Sequence, residues 1–318
     1  MKDILSIVFC TFILSACQQQ AVDTQKLIFE PTYDASLSSQ GNLALISTAS
    51  SGIQLWNLQT KTQIFTWKHG KGNTSAIDTS ISENQLYAAT LTRDSVGLWR
   101  ISDGHSLGWW SLPSTGQSVD VANNSALLIG LNDGSVMSLH PDRTLIKFLG
   151  HSEKVNSVSL SSDGQLALTG ANDKHAILWN PTTGQPIHDW QFDNRVMKVL
   201  LNSSGTRAFI GDSTNNALIM NNHNGQQISK LNIQRRKMNF SAARFSNDDT
   251  QLITGTPARE IILWQTKTGV KLAKWQIQRS KHAQMKGAVV YSVASKGMNQ
   301  IISISSNGLI ETWPVPVH

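Results

Sequence analysis

The chain has 318 residues, 27 Lys and Arg against 21 Asp and Glu, and only 15% charged residues in all. Its hydrophobic share, 40%, is that of an ordinary globular protein. Low charge with plentiful Ser, Thr, Asn and Gln weighs against long helices and suits short strands joined by polar turns. The length could hold two domains, but closed all-β folds often use about 250 residues or more as one unit.

Lys2 precedes an apolar run from Ile4 to Leu14. The run is shorter than the roughly 20 residues that cross a bilayer as a helix, and it fits the apolar centre of a secretory signal. It ends in Leu14-Ser15-Ala16-Cys17, followed at once by Gln18-Gln19-Gln20. A buried N-terminal strand or helix is the plainer alternative, and the abrupt glutamine run argues against it. The segment resembles the bacterial lipobox, although Asp3 offsets Lys2 where that family is basic. The resemblance implies cleavage before Cys17 and a diacylglyceryl group on its sulfur. Residues 1–16 are then expected to be a signal peptide, 17–23 a lipidated cysteine and tether, and 24–318 the folded domain. In enteric lipoproteins Asp after the cysteine favours inner-membrane retention. Gln18 stands there, so the expected site is the outer membrane, facing the periplasm. The other cysteine, Cys10, would leave with the signal. The mature domain would hold no disulfide, which a domain with its own core does not need for export.

Along the rest of the chain an apolar-x-Trp pattern recurs at Trp56, Trp99, Trp179, Trp264 and Trp313. Successive tryptophans lie 43, 80, 85 and 49 residues apart. Halving the long gaps points to Leu139 and Met220, which makes seven units of 40 to 49 residues. The unit around Trp179 is the clearest. Val155 to Ser161 alternates and turns at Ser162-Asp163-Gly164. Gln165 to Gly170 forms a second strand, Ala176 to Asn180 a third and Gln185 to Phe192 a fourth. Alternation with Asn, Asp and Gly turns is a hairpin signal. Gly104, Gly184, Gly225 and Gly269 each fall five residues after a landmark, where a tight turn needs positive φ.

The repeats resemble the WD-repeat family over nearly all of the chain after residue 24. In the best unit the match is Gly150-His151, Thr169, Asp173 and Trp179. In that family these positions form a hydrogen-bonded His–Asp–Ser/Thr–Trp tetrad, which implies a structural role for His151, Thr169, Asp173 and Trp179. Most other units lack the Gly-His and the Asp, and Asn180 replaces the usual Asp after Trp179. The expected fold is all-β, a seven-bladed β-propeller closed by an N-terminal strand. Only Pro314-Val315-Pro316-Val317-His318 follow Trp313, too short and proline-rich for a fourth strand. Lys26 to Glu30 is the expected replacement, completing the last blade and leaving few free sheet edges.

Ten tryptophans could suggest a sugar-binding site or aromatic cage. Trp67, Trp110, Trp190 and Trp275, however, each lie 11 residues after a third-strand Trp, and Leu231 lies 11 after Met220. A position that recurs in register reads as packing, and Trp109 alone falls outside it. The nine histidines show no zinc spacing, and no metal or cofactor is called for. Gly211-Asp212-Ser213 occupies the second-strand place of Thr169-Gly170-Ala171, so it reads as strand. Asp78 and Asp120 fall in first strands, which line a propeller's channel, where two carboxylates could hold a cation.

Two function classes remain. The preferred one is non-enzymatic: an envelope-anchored interaction or scaffold module whose loops bind a protein or an anionic envelope component. The alternative is a propeller enzyme, a lactonase-like hydrolase or quinone-dependent dehydrogenase, which should gather three or more acids or His in the channel. The candidate binding face comprises Arg235, Arg236 and Lys237 with Arg279, Lys281, His282 and Lys286, two basic segments that follow the fourth strands of adjacent units. Lys68 and Lys71 are expected on the same face further round. Nucleic acid is not an expected partner, because net charge alone brings only non-specific attraction.

Overall fold

The computed structural model describes residues 20–70, 75–279 and 288–316. These residues form seven four-stranded antiparallel sheets. Six sheets are sequential meanders. The seventh pairs three C-terminal strands with Asp23–Lys26 at its outer edge. The innermost strands run Thr32–Leu37, Asp78–Ile81, Gly116–Val121, Val155–Leu160, Val196–Leu201, Ala242–Phe245 and Val290–Lys296 in blades 1 to 7. Together they wall a central channel. The chain is the seven-bladed propeller that the repeat spacing predicts.

The alternating patterns become layers. Seven apolar clusters fill the gaps between neighbouring blades, each drawing side chains from two adjacent sheets. Blades 3 and 4, for example, share Leu128, Val136 and Phe148 with Val155, Val158 and Trp179. The aromatic residues of the repeat link blades. Trp67, in the outer strand of blade 1, stacks on Trp99 of blade 2 at 4.7 Å. Phe148 stacks on Trp179 at 4.2 Å across the next-but-one gap. The tryptophans that recur in register are core, and an aromatic cage has no place in them.

Closure occurs earlier in the chain than the sequence predicts. Asp23 to Lys26 pair with Thr312 to Leu309, so the strand is Asp23–Lys26 and not Lys26–Glu30. The reason is apolar burial. Ile28, with Leu27 beside it, packs between blades 7 and 1, while Phe29 is 83% exposed. An outer edge needs only alternate burial, and Asp23–Lys26 supplies it. The third-to-fourth turns behave as the glycines predict, with φ of 70 to 74° at Gly104, Gly184, Gly225 and Gly269. Blade 1 places Lys61 there with φ 57°.

Candidate functional site: the channel and the loop face

Blades place two sets of side chains where a ligand could reach them: those on inner strands, facing the channel, and those on loops. The register fixes the first set. In blades 1, 2 and 5 the same inner-strand level carries Asp34, Asp78 and Lys198, paired with Ser47, Leu91 and Gly211 of the second strands. Two residues further along come Asp120 in blade 3 and Arg244 in blade 6. Asp34, Asp78, Asp120, Lys198 and Arg244 line a cavity of about 230 Å³ that extends to the first-to-second-strand turns at Ser39, Glu83, Ser162 and Asn247.

Asp78 and Asp120 therefore do face the channel, and Asp34 joins them as a third acid. Their oxygens are occupied. Asp78 accepts the Val119 N–H at 2.8 Å, and Asp120 accepts the Leu160 N–H at 2.8 Å and the Ser80 hydroxyl at 2.7 Å. Asp34 accepts the Thr79 hydroxyl at 2.7 Å. Ser157 and Ser159 receive Val199 and Leu201 N–H groups in the same manner. From blade 1 to blade 5, each inner strand is thus stitched to the next. Burial pushes all three carboxyls up, Asp34 to about 7 with Asp78 adding repulsion, while Lys198 draws each of them back down. No group of three or more His, Cys, Asp or Glu among the described residues is arranged to hold a metal ion.

The second set lies on the face formed by the connections between blades and the second-to-third-strand turns. Arg235, Arg236 and Lys237 are exposed in the connection between blades 5 and 6. The Arg235 guanidinium bonds Glu260 at 3.3 Å, at the end of the Thr256–Arg259 turn of blade 6. In the same turn burial, and then the nearby Arg279 charge, lower the Arg259 pKa. The turn thus has Arg235 bonded to Glu260 and Arg279 near Arg259. Lys281, His282 and Lys286 lie outside the described residues, as do Cys17 and Lys71.

Loops are tied to sheets by buried histidines. The His151 Nδ1–H reaches the Asp173 carboxylate at 3.0 Å, and its Nε2 lies 2.8 Å from the Thr169 hydroxyl. Asp173 also accepts the Ser152 N–H at 3.0 Å, which pins the loop. Burial pulls the His151 pKa down against the opposing Asp173 charge, so the ring stays neutral at pH 7. The implied fourth link is missing: the buried Trp179 Nε1 has no hydrogen-bond partner, although the indole is stacked on Phe148. In blades 2, 6 and 7 that link is present, from Trp99 to Thr90 at 2.9 Å, Trp264 to Thr254 at 2.8 Å and Trp313 to Ser303 at 3.0 Å.

The family model described as "WD domain, G-beta repeat" matches residues 142–180, the unit that carries this histidine tie. A WD repeat therefore forms part of the seven-bladed β-propeller. A stretch of 58 residues is 32% identical to the ribosome biogenesis protein BOP1 homolog of Arabidopsis thaliana, covering 18% of this chain and 8% of that protein. No helix among the described residues is long and apolar enough to cross a membrane.

Blade 2 hides a second tie that the sequence did not disclose. His69 Nε2 lies 2.7 Å from the Thr90 hydroxyl, which also accepts Trp99 Nε1–H. His69 Nδ1 faces Ser95 at 3.3 Å where blade 4 uses Asp173. Glycine follows His69 and does not precede it, so the Gly-His signature is absent. The out-of-register Trp109 belongs here: its ring lies edge-on to His69 at 4.5 Å and to Trp99 at 5.0 Å, over the space left by Gly97. Asp34 was legible by counting. It stands 22 residues before Trp56, as Lys198 stands 22 before Met220.

Proposed function

We propose that this WD propeller is an interaction module, held at a bacterial envelope by a lipidated Cys17, whose partner docks on the basic loop face of blades 5 to 7. The observation that carries the reading is the gathering of Arg235, Arg236, Lys237, Arg259 and Arg279 about one turn. Such a face attracts an anionic partner, and the WD fold in general binds proteins. A ring closed on itself offers this surface rigidly, which limits the ordering cost of association. No cofactor enters the reading.

The test is crosslinking of the tagged protein in cells, with identification of partners, for the wild type and for a variant with Arg235, Arg236, Arg279 and Lys281 changed to Ser. Loss of partners in the variant, and weakening at moderate salt over a Debye length of about 10 Å at 0.1 M, supports the reading. An unchanged profile places the docking surface elsewhere. The anchor has its own test: Cys17→Ala should abolish lipid labelling and block signal cleavage, and an unlipidated wild-type protein in the cytoplasm would remove it.

The third channel acid favours a second reading, a hydrolase or quinone-dependent dehydrogenase working in the channel. Against it, Asp34, Asp78 and Asp120 all spend oxygens on holding neighbouring inner strands. A double variant, Asp78→Asn with Asp120→Asn, that keeps its partner profile supports the structural assignment.

A further inference from the structure

Within the basic face lies a groove of about 200 Å³ lined by Arg235, Lys237, Met238, Asn239, Pro257 and Glu260 among others. Its walls are the connection from blade 5 to blade 6 and the Thr256–Arg259 turn. The one acid in it is already satisfied. Glu260 is buried, and its two oxygens meet Lys274 Nζ at 2.5 Å and Arg235 at 3.3 Å. The donors are in surplus. Among the described residues no hydrogen-bond partner meets the Lys237 ammonium or the Asn239 amide, and Arg235 uses one of its five N–H groups. Lys237 itself adopts φ 56°, a conformation that a side chain usually avoids, in the chain segment that forms the wall. Met238, Pro257 and Ala258 supply apolar surface beside these donors.

We propose that this groove receives the carboxylate of an acidic side chain from a peptide segment of the partner protein, with an apolar neighbour of that side chain resting on Met238 and Pro257. The inference rests on the docking face proposed above and assigns its recognition element. A guanidinium and an ammonium presented together match the two oxygens of a carboxylate, and charge-assisted bonds of this kind are stronger than neutral ones. The small volume suits one side chain, and the apolar floor distinguishes a peptide from a free oxyanion or a lipid headgroup.

The probe is a fluorescein-labelled Glu-rich peptide titrated by anisotropy against the purified full chain. A Lys-rich peptide serves as control, with inorganic phosphate and phosphatidylglycerol vesicles as competitors. Arg235→Gln with Lys237→Gln should weaken the Glu-rich peptide on the order of tenfold or more. Arg279→Gln, on the same face but outside the groove, should change it by less than about twofold. Both groove positions are exposed and Lys274 still pairs with Glu260, so an unchanged melting curve accompanies the loss. An equal loss in Arg279→Gln means diffuse charge and overturns the groove, as does displacement of the peptide by phosphate or vesicles at equal concentration. If the partners seen in cells vanish in the quadruple Ser variant while the peptide ignores the groove variant, the docking face stands and the groove alone falls.

Discussion

His69 should make the protein acid-sensitive by an amount that can be stated beforehand. Burial drives its pKa down from 6.5 to about 4, against the pull of Asp94. The unfolded chain binds the proton near 6.5 and the folded one does not, so stability is complete above 6.5 and declines as pH falls towards 4. With those two values the linkage expression gives a loss of about 2 kcal/mol between pH 7 and pH 5. Other groups move at the same time. His151 adds to the loss, whereas Asp34 and Glu311, both raised to about 7, oppose it. The measurement is therefore a difference: urea unfolding of wild type and His69→Gln at pH 7, 6 and 5 and constant ionic strength. The variant is expected to be less stable at pH 7, since Thr90 loses its histidine, and the gap should narrow by about 2 kcal/mol at pH 5. Parallel curves would show that His69 titrates as it does in water and that the tie is not buried as described.

Gly269→Ala should be far more costly than Gly184→Ala. Both have φ near 70°, worth about 1–2 kcal/mol to a side chain, but a Cβ at 269 would lie 2.0 Å from the Lys230 carbonyl while one at 184 meets only Ile146 at 3.5 Å. Chemical denaturation of the pair measures the difference, and equal costs would refute it. Asp34→Asn should raise stability most above pH 7, because a raised carboxyl stabilises the fold while protonated and loses that contribution as pH climbs through about 7; thermal melts at pH 6 and 8 test the sign. Deleting residues 23–26 should expose the edge of blade 7 and lower the melting temperature with aggregation; a truncated chain that melts like the parent would contradict closure by this strand.

The ring was legible because packing enforces its period. A tryptophan or its stand-in must fill the same gap in every blade, and Leu139 and Met220 do so without being aromatic. Charged residues obey no such repetition, so only Asp78 and Asp120 of the channel set were picked out: Asp34 and Lys198 could have been counted back from their landmarks, and Arg244 emerged only when register aligned the inner strands. The His69 tie escaped because hydrogen bonding tolerates a serine where the repeat elsewhere has an aspartate. The position of the closing strand was missed for a different reason. The most apolar stretch, Leu27-Ile28-Phe29, looks most like a strand, yet an outer edge asks for less burial than the gap between two blades.

That closing strand also sets the order of events in biogenesis. Its partners, Leu309 to Thr312, follow Asp23–Lys26 only after the other six blades. A ribosome must therefore have made every residue between the two before the last blade gains its fourth strand. Until then six blades can form by local meanders, but the seventh is a three-stranded sheet with a bare rim. Pairing across so long a separation is slow and leaves partly assembled forms prone to association. The waiting segment sits directly after the expected tether, so any attachment at the N-terminus would hold one half of the lock in place while the other half is still to arrive.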